Sequence, residues 1–178
     1  MENYYEHLLA PDGNQEFAKY IIGMLDDLNY GLVRVKINGK KVTNIQIMAE
    51  NDKHTLSLED CEILNEVIID YLEKNEKLFS DYSLEISSPG IERPLTRKKD
   101  FDTWSNNFVQ IKLNSDKDFP KKFNAKLLGF SESKIKIFIE NEKDLNGEYN
   151  LDPLMIKEVI LSWVDKDPPK PNLSLIHI

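Results

Sequence analysis

The sequence predicts an α+β fold in two parts: an N-terminal αββαβ domain followed by a small C-terminal β-barrel. Three observations carry this reading. Two stretches, Gln15 to Asn29 and Leu58 to about Lys74, repeat apolar residues every three or four positions, as amphipathic helices do. Between and after them, apolar and polar residues alternate as in half-buried strands. From Asn107 the pattern changes to five short strands separated by polar turns, all in under 60 residues.

In the first helix the stripe is Phe17, Ile21, Met24, Leu25 and Leu28, with Asn29 and Gly31 as the stop. That stripe needs a sheet to cover. Val33, Val35 and Ile37 alternate with Leu32, Arg34 and Lys36, and Ile45, Ile47 and Ala49 follow the turn Asn38-Gly39-Lys40-Lys41, so the segment reads as a β-hairpin. Setting Val35 beside Ile45 or Thr43 puts all the odd-numbered apolar residues on one face, which calls for a loop of odd length. Ser57 and Asp60 resemble a capping box with Asp in place of Glu. The helix they open has the stripe Leu58, Cys61, Leu64, Val67, Ile68, Tyr71 and Leu72. Cys61 lies in that stripe and reads as a structural thiol, because a nucleophile needs a base and the sequence offers none nearby. Leu84 and Ile86 mark a third strand, Tyr82 to Ser87.

The segment Ser87-Ser88-Pro89-Gly90-Ile91-Glu92-Arg93-Pro94-Leu95 holds two prolines and a glycine in nine residues, which excludes regular helix and central strand. It reads as a rigid, turned connection. On one reading it is an interdomain hinge with Arg93 tied to an acidic residue of its own domain; on the other, Arg93 offers a planar fork to a carboxylate or phosphate. Thr96 is placed to cap a short helix, Arg97 to Trp104, anchored by Phe101 and Trp104. The strands Phe108 to Leu113, Phe123 to Phe130, Lys134 to Glu140, Glu148 to Leu151 and Lys157 to Val164 then predict an SH3-like or Sm-like barrel, with a helical turn at Asp152-Pro153-Leu154-Met155. The expected organisation is a flexible extension over 1–14, the αββαβ domain over 15–93, the barrel over 94–165 and a proline-rich tail over 166–178. Asp167 to Pro171 should be extended, since its three prolines favour polyproline II. Leu173-Ser174-Leu175-Ile176-His177-Ile178 matches a translated transposon adapter used in sequencing libraries, so these six residues are expected to be non-native. Genomic reads running continuously through their codons would overturn that.

Composition narrows the function classes. A hydrophobic share of 40% and a charged share of 30% are those of a soluble globular chain. No apolar run approaches the roughly 20 residues of a membrane span. The first ten residues lack the basic and apolar segments of a signal peptide, so a cytoplasmic protein is expected. The single Cys61 forms no internal disulfide. His7, His54 and His177 are scattered without ligand spacing, so no metal is expected. No phosphate-binding Gly-rich loop and no nucleophile elbow is present, and acidic pairs such as Asp26-Asp27 and Glu59-Asp60 are common by chance among 31 acidic residues. No cofactor and no catalysis are expected.

The net charge of -8 hides an asymmetry, since residues 1–93 carry 9 basic against 18 acidic side chains and residues 94–178 carry 14 against 13. The acidic half suits a basic partner, and ribosomal proteins are among the most basic in a cell. In the other half, Arg93, Arg97, Lys98 and Lys99 cluster at the entrance, and Lys117, Lys121, Lys122 and Lys126 surround the first barrel hairpin. Such runs are usually solvated faces, but loop lysines on a barrel are also well placed to touch RNA backbone. Phe123 is expected in the core and Phe119 at the surface as an anchor.

The stretch Tyr82 to Leu95, reading YSLEISSPGIERPL, resembles the signature of the bacterial ribosome maturation factor family RimP, with Ile91 and Glu92 as conservative departures. Leu58-Glu59-Asp60-Cys61, Asp100-Phe101, Lys122-Phe123, Leu127-Leu128-Gly129 and Ile156-Lys157-Glu158-Val159 fit the same family. Asn124-Ala125 and the hairpin after Glu50 depart from it. The resemblance implies the two domains named above and binding to free or immature small ribosomal subunits without catalysis. It also implies assistance to a ribosomal protein of the decoding region. The signature residues are then Ser87, Ser88, Pro89, Gly90, Arg93 and Pro94, and the RNA or ribosome contacts are assigned to Arg97, Lys98, Lys99, Lys121, Lys122 and Lys126. A monomer with no membrane partner is expected. The alternative is an Sm-like RNA-binding regulator that works as a ring, and a hydrolase using Cys61 or a carboxylate pair is weaker still.

Overall fold

A computed structural model of the chain describes residues 2–142, 144–162 and 171. They divide into two compact units, one of residues 9–90 and one in which residues 2–8 join the chain from Ile91 onward. A short helix α1 (Glu6–Leu9) lies where the two meet in sequence.

The first unit contains α2 (Gln15–Asp27), β1 (Gly31–Asn38), β2 (Thr43–Glu50), α3 (Leu58–Lys74) and β3 (Tyr82–Ser87), the expected αββαβ order. Helix α2 ends where its backbone turns left-handed. Asn29 has φ 62, its N–H donates to Asp26 O, and Tyr30 N donates to Leu25 O at 2.9 Å, a Schellman stop with Asn in the usual glycine position. At the other helix Ser57 Oγ accepts from Asp60 N (3.1 Å) and Asp60 Oδ2 accepts from Ser57 N (2.8 Å), so both halves of the capping box form.

Strands β1 and β2 pair antiparallel, and β3 pairs parallel to β2, the arrangement that a helical crossover such as α3 permits. Ile37 pairs with Ile45 and Val35 with Ile47, so odd residues face odd residues as expected, although Val35 lies beside neither Ile45 nor Thr43. Asn38 pairs with Asn44, and in the turn between them Gly39 has φ 108, where a Cβ would collide with the Val42 carbonyl. A bulge between Leu32 and Arg34 corrects the simple alternation. It turns both Leu32 and Val33 into the core, which a strict period of two forbids. The core comprises Phe17, Ile21 and Leu25 of α2, Leu64, Ile68 and Leu72 of α3, and Val35, Ile45, Ile47 and Ala49 of the sheet. The stripe read for α3 is therefore too wide. Leu58, at the first helical position, is 78% exposed, and Cys61, Val67 and Tyr71 are half-buried.

The second unit contains α4 (Asp100–Thr103), β4 (Phe108–Leu113), β5 (Lys122–Ser131), β6 (Lys134–Glu142), β7 (Leu145–Leu151), a 3-10 turn (Pro153–Met155) and β8 (Ile156–Leu161). The strands form an antiparallel sheet in the order β7-β6-β5-β4-β8. Five strands stand where five were expected, but the ladders among the described residues do not join β7 to β8, so the sheet is open. Its inner face is Val109, Ile111, Leu113, Phe123, Ala125, Leu127, Ile135, Ile137 and Ile139, capped by Leu95, Phe101 and Trp104.

Two expectations need correction here. The helix after the signature covers Asp100–Thr103 instead of Arg97 to Trp104, because residues 96–98 are held extended against residues 3–5. Tyr5 N donates to Thr96 O and Lys98 N to Asn3 O, both at 2.9 Å. The segment 1–14 is accordingly no free extension in its described part. Leu8 is buried in the second unit's core, and Tyr5 packs against Phe101 and Phe130 at centroid distances of 6.1 and 6.3 Å. Apolar residues that the sequence left without a partner find one there. The last strand stops at Leu161, and the tail expected over 166–178, with its six adapter-like residues, lies outside the described residues except for Pro171.

Candidate functional site

The signature divides between the two units. Ser87 closes β3 and is half-buried, Ser88 is exposed, Pro89 is buried, and Gly90 takes φ 70 at the last position of the first unit. The second half of the signature is strand-like. Leu161 N donates to Arg93 O (3.0 Å), Leu95 N donates to Val159 O (2.9 Å), and Pro94 forms a bridge with Ile160. Residues 93–95 thus cover the outer edge of β8. Proline fits at the middle position because in an antiparallel pair the N–H there points away from the neighbouring strand.

Both arginines of this region are buried. Arg93 is 2% exposed, and its guanidinium lies 4.6 Å from the centre of the Trp104 ring, a cation–π contact. Arg97 is 3% exposed, with Nε at 2.9 Å and Nη2 at 2.7 Å from Asp100 Oδ1. The other oxygen of Asp100 accepts from Thr96 N (3.1 Å) and Arg97 N (2.9 Å). This carboxylate therefore holds the turn before α4 together. Neither guanidinium is presented to solvent, so the fork of Arg93 and the ribosome contact assigned to Arg97 are replaced by structural roles.

The lysines differ. Lys98, Lys99, Lys117, Lys121 and Lys122 are exposed, and Lys126 is half-buried in the middle of β5. Phe119, expected as a surface anchor, is instead stacked on Phe123 (5.7 Å) and set edge-on to Tyr149 (5.2 Å), at the margin of the core. Phe123 itself is buried, as expected.

Lys122, Asn124 and Lys126 alternate along β5 with the core residues Phe123, Ala125 and Leu127, so they lie on the outer face of the sheet. On that face Lys126 pairs in register with Phe108 of β4 on one side and with Phe138 of β6 on the other. Around this row is a concavity of about 450 Å³ lined by Phe108, Phe138, Lys126, Asn124, Leu128 and Glu140. The sequence reading missed the two phenylalanines. A signal was available: in β4 and β6 the core residues are odd-numbered, and both rings stand at even, outward positions.

Elsewhere the titratable groups show ordinary structural chemistry. Burial raises the Cys61 thiol above its usual range, with Asp60 adding to the effect, the opposite of what a thiolate nucleophile needs. Tyr30 Oη donates to Asp60 Oδ1 at 2.6 Å, which raises the phenol and lowers the carboxyl. Among the described residues no three His, Cys, Asp or Glu side chains converge to hold a metal ion, and no helix is long and apolar enough to cross a membrane. Residues 20–92 match the family model described as the RimP N-terminal domain.

Proposed function

We propose that the chain, whose residues 20–92 match the RimP N-terminal domain, is a ribosome maturation factor of that family and serves maturation of the small ribosomal subunit by binding free or immature subunits without catalysis. The observation that carries this reading is the match over residues 20–92, reinforced by the nine-residue signature that runs on past it. The first unit, with its excess of carboxylates, takes a basic ribosomal protein of the decoding region. The second unit, read as an SH3-like or Sm-like barrel, takes ribosomal RNA through Lys98, Lys99, Lys121, Lys122 and Lys126. In this reading the chain acts as a cytoplasmic monomer. The ring-forming alternative needs open strand edges for subunit pairing, and the cover that residues 93–95 place on β8 weighs against it.

Co-sedimentation with isolated small subunits, complete small subunits and whole ribosomes tests the proposal. Preference for the free small subunit is expected, and indifference among the three would sink it. Charge reversal of Lys121 and Lys122 should weaken the RNA-dependent part of that binding and flatten its salt dependence.

A further inference from the structure

We propose that the outer face of β4, β5 and β6 is a stacking platform for single-stranded RNA, on which Phe108 and Phe138 take bases while Lys126, Lys122 and Lys136 take phosphates. This rests on the reading that the second unit contacts RNA, and it specifies which chemistry of RNA and where.

Four observations support it. The row Phe108, Lys126, Phe138 crosses three adjacent strands in register, which sets the two rings two strand spacings apart, roughly 10 Å, with a lysine stem as the floor between them. That separation leaves room for a flat ring against either phenylalanine. Both rings are half-buried on a face whose other residues, Leu128 apart, are polar, and they are not part of the core, which the odd-numbered residues of the same strands already fill. The face carries more lysines than carboxylates, with Glu140 at the margin of the concavity as its acidic member. Lys112 is held by Glu158 (2.6 Å) and Lys134 by Asp152 (3.0 Å), whereas Lys122, Lys126 and Lys136 make no ion pair among the described residues. Lys112 and Lys122 also stand directly opposite one another, a like-charge pair that disfavours the sheet and favours an anion above it. Finally, Asn124 lies in the same concavity, and its amide offers both a donor and an acceptor to a base edge.

Aromatic rings interleaved with cations fit unstacked bases on a phosphate backbone; a duplex hides its base faces from such rings. The same lysines oppose a second copy of this chain, which would bring like charges together.

Fluorescence anisotropy on the full-length protein tests the idea, with short oligouridylate and oligoadenylate as probes and a duplex of equal length as control. Phe108→Leu and Phe138→Leu keep an apolar side chain on the outer face without an aromatic ring, and each should lower single-strand affinity roughly 5- to 150-fold, with Tyr at either position restoring it. Lys126→Gln should weaken binding evenly across sequences and reduce the salt slope by about one. Equal binding of duplex and single strand, parental affinity in both Leu variants, or a dimer that the Leu variants dissolve would each overturn the platform. Parent protein that co-sediments with small subunits yet binds no oligonucleotide overturns the platform alone. Oligonucleotide binding that needs the rings, without any subunit binding, overturns the maturation reading and leaves the platform standing.

Discussion

Arg93 and Arg97 on one side, and Lys122, Lys126 and Lys136 on the other, belong to the same unit and carry the same charge, yet their surroundings are opposite. The arginines are enclosed, one over an indole and the other against a carboxylate that also accepts two backbone N–H groups. The lysines stand on a sheet face beside aromatic rings, without an ion pair among the described residues. What separates them is whether the fold supplies a counter-group of its own. A cation that the fold has already neutralised shapes a turn, and one left at the surface can meet a partner. Counting basic residues along the chain puts Arg97 with the neighbouring lysines, although only the lysines are accessible.

The contrast can be broken in order of expected effect. Asp100→Ala removes the carboxylate from the buried Arg97 guanidinium and from two backbone N–H groups, and should cost roughly 3–5 kcal/mol in denaturant unfolding. A loss below about 1 kcal/mol would show that this carboxylate is not what holds the turn. The surface pair Lys112 and Glu158 should be far weaker, with a coupling of about 0.2–1 kcal/mol in a double-mutant cycle. A coupling as large as the Asp100 effect would erase the distinction drawn here.

Acid titration probes the same unit. The Asp152 carboxyl is held below its ordinary value of 3.8, first by the hydrogen bond from Leu154 N and then by Lys134. A depressed folded value means stabilisation that is fully present above 3.8 and is lost as pH falls through the lower folded value. Asp152→Asn should therefore flatten the loss of stability in that window, and an unchanged acid profile would show that these contacts contribute nothing. Smallest of all, Lys122→Gln, Lys126→Gln and Lys136→Gln should each change stability by no more than about 0.5 kcal/mol while still weakening RNA binding. A large stability loss from any of them would mark that lysine as structural after all.

Local patterns were read well where the structure they encode is local. The capping box at Ser57 and Asp60, the stop at Asn29 and the strand Tyr82–Ser87 each depend on residues within a turn or two of one another. The hairpin was read correctly in parity and missed in partner, because the turn between the paired Asn38 and Asn44 is longer than expected, while the bulge between Leu32 and Arg34 shifts the pairing only at the far end of the hairpin. Phe108 and Phe138 show a third case. Their outward parity is visible in the strand pattern, but only the pairing of β4 with β5 and of β5 with β6 shows that they flank one lysine.

The sequence by itself determined the order and type of the elements from α2 onward, the capping of α3, the asymmetry of charge and the family signature, because spacing and composition carry all of these. Tertiary structure alone decided which positive charges stay accessible. The burial of Arg93 depends on a tryptophan of the next segment and on pairing with the last described strand, and the seat of residues 2–8 depends on a core built from the other end of the chain. Such contacts join residues far apart in sequence, and their energies appear only once the intervening chain has folded.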